Sequence, residues 1–168
     1  MGRIMLEEPR LAQSLGPYIG KTAKVMEKRV NENFALAGYE ITLDHWIVLV
    51  HLWMDDGLNQ KTLCEFAGRH KTKITRTIDS LESQSYVVRV PDKDDRRNKL
   101  IYLTHKGKKA QKELSAQMLK TLDEATIGIK EDELDICKRV LHQIFLNLAD
   151  EQHIQHFLFN SYNRNKKD

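Results

Sequence analysis

Between residues 10 and 37, apolar side chains recur every three to four positions, at Leu11, Leu15, Tyr18, Ile19, Val25, Met26, Val30 and Phe34. Lys21, Lys24, Glu27 and Lys28 fall between them, so the pattern predicts an amphipathic helix, closed by Gly38. A stripe that long needs a large partner surface or a second subunit. A second helix is expected over residues 42 to 55, capped by Thr42 or Asp44 and stopped at Gly57. Trp46, Ile47, Leu49, Val50 and Trp53 make it apolar on most sides, which predicts burial. Asn59 can cap a short third helix whose inward residues are Leu63, Cys64, Phe66 and Ala67, ended by Gly68.

His70 or Lys71 begins a fourth helix, anchored by Ile74, Ile78 and Leu81 at spacings of four and three. Thr72, Lys73, Thr75 and Arg76 then fall largely toward its other side. Residues 86–90 and 99–104 are rich in β-branched and aromatic types and read as two strands, joined by a charged hairpin tip over 91–98. Thr104 is a plausible N-cap for one long helix from 106 to about 126, with Ala110, Leu114, Met118, Leu122 and Ala125 as its stripe. After Gly128 a last helix carries Leu134, Cys137, Val140, Leu141, Ile144, Phe145 and Leu148, and its pattern continues through Ile154, Phe157 and Leu158. Residues 160–168 are mostly polar and basic, and a tail over 159–168 is expected to fray. The expected architecture is mainly α with a small β-wing, as a single domain over 1–168. A winged helix-turn-helix at 42–104 lies between dimerisation helices at 10–37 and 106–158.

Charge sharpens this picture. The whole chain carries +3, but residues 60–110 hold thirteen Lys or Arg against six Asp or Glu, a local +7 that leaves −4 elsewhere. A concentrated basic field attracts a phosphate backbone and releases its counterions, which a weak uniform charge does not. The longest apolar run, from Trp46 to Val50, is far short of the roughly 20 residues a bilayer span needs. The first residues lack the apolar core of a signal peptide, so the cytoplasm is the expected location. Cys64 and Cys137 form neither a disulfide framework nor a metal spacing. Both fall on apolar stripes, and both are expected to be small buried hydrophobes with raised thiol pKa.

Asp95-Arg96-Arg97, followed by Leu103-Thr104 and Gly107, resembles the Asp-x-Arg wing motif and Leu-Thr-x-x-Gly helix start of the MarR family, named for the multiple antibiotic resistance regulator. Lys73-Ile74-Thr75-Arg76 and Leu81-Glu82 resemble that family's recognition helix, and the likeness runs in order over about residues 10 to 150. Ser85 departs from it, standing where the family often has glycine, which leaves the end of the recognition helix open. The resemblance implies a homodimer with intertwined terminal helices, setting two winged modules on successive major grooves of a pseudo-palindromic DNA operator. It also implies a crevice for small aromatic or lipophilic effectors, for which Tyr39, His45 and Trp46 are candidates.

Each candidate residue has a chemical reason. Thr72, Lys73, Thr75 and Arg76 are expected to meet the major groove, where Arg or Lys pairs with guanine and Thr meets a phosphate or a thymine methyl, and Lys71 at the start of the same helix is a further DNA-binding candidate. Arg97 is assigned to a narrow minor groove, with Asp95 holding its rotamer through a bidentate pair. Arg96, Lys93 and Lys99 are assigned to phosphates. The bland readings are a solvated helix face for the basic residues, a hairpin-steadying ion pair for Asp95, and core packing for Trp46 and Trp53. The histidines, among them His45, His51, His105 and His142, form no compact ligand set, and no cofactor or metal is expected. No phosphate-cradling glycine loop, paired carboxylates or activated nucleophile is found, so an enzyme is not expected. The function expected is a DNA-binding transcriptional regulator, a ligand-responsive repressor. The alternatives are an activator of the same fold, or a winged-helix module docking an acidic protein partner.

Overall fold

The computed structural model describes residues 14–95 and 98–150, and among these residues the chain forms seven helices and three short strands. In chain order they are α1 (Leu15–Leu36), α2 (Leu43–Met54), β1 (Leu58–Asn59), α3 (Gln60–Ala67) and α4 (Lys71–Ser83). The wing strands β2 (Val87–Pro91) and β3 (Lys99–Leu103) follow, and then α5 (His105–Lys109), α6 (Gln111–Ala125) and α7 (Glu131–Leu148). The sheet is antiparallel in the order β1-β3-β2, with Val87 opposite Leu103 and Pro91 opposite Lys99.

The core forms where the stripes of α1, α2, α3 and α4 meet the inner face of the sheet. Phe34, Val48, Leu49, Leu52, Leu63, Ile74, Ile78, Leu81, Val87, Ile101 and Leu114 are fully buried there. Burying an aliphatic or aromatic side chain of this size is worth about 1.5–3 kcal/mol, so this cluster dominates the fold's stability. The α1–α6 contact adds a buried polar pair, in which Asn33 Nδ2 donates to Thr121 Oγ1 (2.9 Å). Arg29 and Glu124 reinforce it from the rim (3.4 Å).

Most predicted elements are found within a few residues of their expected bounds, but several expectations are corrected. The single helix expected from 106 to about 126 is interrupted at Ala110, which separates α5 from α6. The break keeps α5 against β3 while α6 runs along α1. The wing gains a third strand, because Leu58 pairs with Ile101 and Asn59 with Leu100. Cys137, expected to be buried, is exposed. It lies on α7, which has no buried residue among those described and presents Ile136, Val140, Leu141 and Leu148 to solvent. On α1 the stripe is likewise divided: Val30 and Phe34 are buried, while Leu15, Tyr18, Ile19 and Val25 are exposed. The tail beyond residue 150 and the wing arginines Arg96 and Arg97 lie outside the described residues.

Candidate nucleic-acid interface

The helix-turn-helix is closed by local chemistry. The Asn59 side chain accepts from Thr62 N–H (2.9 Å) at the start of α3, and Gly68 ends it in the left-handed region at φ 57°. That turn delivers α4 with Ile74, Thr77, Ile78 and Leu81 buried. The remaining positions divide into three sectors. Toward α3, Gln60 Nε2 donates to Thr75 Oγ1 (2.7 Å), and Thr75 Oγ1 donates to the Lys71 carbonyl (2.8 Å). Toward α2, Lys73 Nζ pairs with Asp44 (2.8 Å). Between these sectors Thr72 and Arg76 are exposed, and their side chains have no hydrogen bond or ion pair among the described residues. Of the four residues expected to face bases, Thr72 and Arg76 are free to do so, whereas Lys73 and Thr75 are tied to neighbouring helices.

The wing is fastened to the C-terminal end of α4 in two ways. Arg89 lies on the inner side of β2 with its side chain only 16% exposed, and its guanidinium pairs with Asp79 (2.6 Å) and Glu82, both on α4. Glu82 also accepts the Arg89 backbone N–H (3.1 Å). The helix end is a Schellman motif: Ser85 N–H donates to the Glu82 carbonyl (2.9 Å) and Tyr86 N–H to the Leu81 carbonyl (2.8 Å). Ser85 occupies its left-handed position at φ 62°, so the helix ends as it would with glycine, at the cost of a strained serine.

Thr104 binds the wing to the following helix. Its hydroxyl donates to the Ser85 carbonyl (2.6 Å) and accepts from Gly107 N–H (3.1 Å), capping α5. Lys106 Nζ donates to the Gln84 carbonyl (2.9 Å) and lies 4.3 Å from the centre of the Tyr86 ring. At the wing tip Lys93 and Lys99 are exposed. Asp95 shapes the turn there: its carbonyl accepts from Asn98 N–H (2.9 Å) and its carboxylate from Asn98 Nδ2 (3.1 Å). The partner expected for Asp95, Arg97, is outside the described residues, as is Arg96.

Residues 41–99, which span α2 through the start of β3, match the family model described as the MarR family. The chain carries a MarR-family domain. It is 25% identical over 130 residues to the uncharacterised HTH-type transcriptional regulator YybA of Bacillus subtilis, covering 77% of this chain and 85% of that one. Among solved structures it resembles the transcriptional regulator PA3341, with 29% identity, a TM-score of 0.67, and coverage of 80% of this chain and 98% of that one. The fold is also that of CouR from Rhodococcus jostii RHA1, solved with p-coumaroyl-CoA (22% identity, TM-score 0.69, 84% and 98% covered). CouR, a transcriptional repressor, has further been solved on a 23-mer DNA duplex (22% identity, TM-score 0.72, 80% and 94% covered). These relatives are transcriptional regulators by name. Among the described residues no helix is long and apolar enough to cross a membrane.

In this MarR-type fold the three effector-pocket candidates do not play one role. Tyr39 and Trp46 are half-buried and pack against the core. Trp46 Nε1 is buried with no hydrogen-bond partner among the described residues. His45 belongs to the N-terminal capping box of α2 and lines a cleft with Thr42, Asp44, His70, Thr72, Lys73 and Arg76. Burial pushes its pKa down, opposed more weakly by the charge of Asp44. The Cys64 thiol is pushed up, first by burial, with the Lys71 charge opposing.

Arg89 and Gln60 were absent from the residues singled out by sequence, and Asp44 entered there only as a possible cap of the second helix. For Arg89 a signal existed. The alternation that places Val87 inward and Val88 outward puts Arg89 back on the inner face, where an arginine requires carboxylates. Gln60 and Asp44 act through contacts between helices, which periodicity cannot reveal.

Proposed function

We propose that this chain is a dimeric, sequence-specific regulator of transcription that binds double-stranded DNA. In this reading α4 enters the major groove and the wing reaches the adjacent minor groove. The observation that carries the reading is the outward pair Thr72 and Arg76, presented without side-chain partners among the described residues on a helix anchored along its opposite side. An arginine in that position can read guanine through two hydrogen bonds, and a threonine can meet a thymine methyl or a phosphate. Lys71, Lys93, Lys99 and Arg96 supply phosphate contacts, and Arg97 enters the narrow, negatively charged minor groove. CouR, of the same fold, binding a DNA duplex supports this reading.

Dimerisation pairs two such modules on a pseudo-palindromic operator. The exposed apolar residues of α1 and α7 support it, because a contiguous face of this kind marks a protein interface. Ile19 of α1 and Leu141, Ile144, Phe145 and Leu148 of α7 line one groove there. The chain acts as a repressor whose affinity falls when a small effector favours a different separation of the recognition helices. The buried Trp46 Nε1, which lacks an acceptor among the described residues, supports an oxygen-bearing effector beside Tyr39 and His45.

The test is a titration of Arg76→Ala and Arg97→Ala against an operator recovered from random fragments and against random duplex. Arg76→Ala should lose discrimination, and Arg97→Ala should lose operator affinity with fold and dimer intact. A wild-type chain whose binding to random duplex does not depend on salt would overturn the DNA reading.

A further inference from the structure

Asp44 stands in the first turn of α2, before the helix-turn-helix in sequence and on a different element from the cations it meets. Its Oδ2 lies 2.8 Å from Lys73 Nζ on α4, and its Oδ1 lies 3.5 Å from Arg69 Nε in the turn between α3 and α4. The Asp44 side chain is 23% exposed, against 49% for Lys73 and 42% for Arg69. One carboxylate therefore sits beneath two cations that border the surface carrying Thr72 and Arg76.

The structure assigns Asp44 the role of a specificity-determining residue, which draws Lys73 and Arg69 onto the protein and limits their attraction for phosphate. This inference rests on the DNA-binding reading above. Phosphate attraction is identical for every sequence, so each cation released to the backbone raises binding to operator and to random DNA alike. Competing sites vastly outnumber operators, and what matters is the ratio of the two affinities. A carboxylate this close to Lys73 cancels most of its field at a distance, while Arg76 keeps its full charge and freedom for base edges. Exposed ion pairs stabilise a fold only weakly, so the main consequence of this pair is electrostatic.

The experiment measures association constants for wild type, Asp44→Asn and Asp44→Asn/Lys73→Gln over a range of salt concentrations. The probes are a random duplex and a duplex recovered from a random pool by the wild-type chain, with thermal melts recorded in parallel. Asp44→Asn should bind the random duplex more tightly at low salt and lower the ratio of recovered to random affinity. Its plot of log K against log salt should steepen by about 0.9 for each phosphate gained, one or two in all. The double variant should lose about one of those increments. An unchanged slope overturns the assignment, and so does equal weakening on both duplexes with a lower melting midpoint, which would make Asp44 a scaffold residue. A wild-type chain that binds neither duplex overturns this inference together with the DNA reading. Salt-dependent wild-type binding with no change in Asp44→Asn overturns this inference alone.

Discussion

Gly107 lies so close to the carbonyl oxygen of Tyr86 that a Cβ on it would stand 2.2 Å from that oxygen. The contact joins the start of α5 to the junction of α4 and β2, and the Trp53 indole donates to the Gly107 carbonyl from α2 (3.0 Å). The Tyr86 carbonyl also accepts the Thr104 backbone N–H (3.0 Å), so it cannot retreat without breaking the base of the wing. Gly107→Ala should therefore cost about 1–3 kcal/mol, the range for overpacking a filled site. A lowered urea midpoint at constant slope would register it. Operator binding should weaken as well, under conditions where the variant stays folded, because a displaced Tyr86 moves the wing against α4. A midpoint equal to wild type would show that the backbone yields freely.

Ser85 should be improvable. It holds a left-handed conformation that costs a residue with a Cβ about 1–2 kcal/mol, and glycine adopts it without that penalty. Its bonds to Glu82 and Thr104 use backbone atoms, which a substitution leaves in place. Ser85→Gly should raise stability by about 0.5–1 kcal/mol once the greater freedom of glycine in the unfolded chain is subtracted. Chemical denaturation checks this, and a loss of stability would mean that the serine side chain makes a compensating contact.

The helices α1, α2 and α4 were legible because each buries one stripe with a helical period, and the spacing of Ile74, Ile78 and Leu81 is enough to fix the rotation of α4. The break at Ala110 was hidden, since Ala110, Leu114 and Met118 keep helical spacing across it. β1 has two residues, too few for alternation to register. At the candidate interface, spacing could separate the inward from the outward side of α4 but could not divide the outward side. That Lys73 is held by Asp44 and Thr75 by Gln60 follows from how α2 and α3 cross α4. The Leu-Thr-x-x-Gly pattern was visible as a motif, but its physical cause, a cap on one side and a carbonyl against the glycine on the other, needed the fold.

Arg89 should matter more to binding than to folding. Asp79 is well exposed, so water screens its half of the clamp, and Arg89→Met should cost on the order of 1 kcal/mol. The same change leaves Asp79 and Glu82 without their cation where α4 meets the wing, and it frees β2 to shift. Operator affinity should fall by more than the stability loss explains, as read by anisotropy well below the melting temperature. Arg89→Lys restores the charge without the two-pronged geometry and should recover only part of the loss. Full affinity in Arg89→Met would exclude a role for the clamp in positioning the wing.

His45 makes the start of α2 sensitive to acid. Its Nδ1 accepts the Thr42 backbone N–H (3.0 Å), and Thr42 Oγ1 accepts the His45 N–H (3.4 Å), so both halves of a capping box are present. A ring nitrogen that accepts a hydrogen bond must be unprotonated. Burial lowers the pKa of the folded group below its ordinary 6.5, with Asp44 opposing more weakly, so the unfolded chain takes up this proton at a higher pH than the folded one. The stability contributed by His45 is therefore complete above about pH 6.5 and is lost as the pH falls through the lower folded value. Glutamine at the same position keeps an acceptor that does not titrate. His45→Gln should thus lose less stability than wild type between about pH 7.5 and pH 5, measured as the difference in urea midpoints. An equal loss in both proteins would assign the acid sensitivity to other groups and leave the cap intact on protonation.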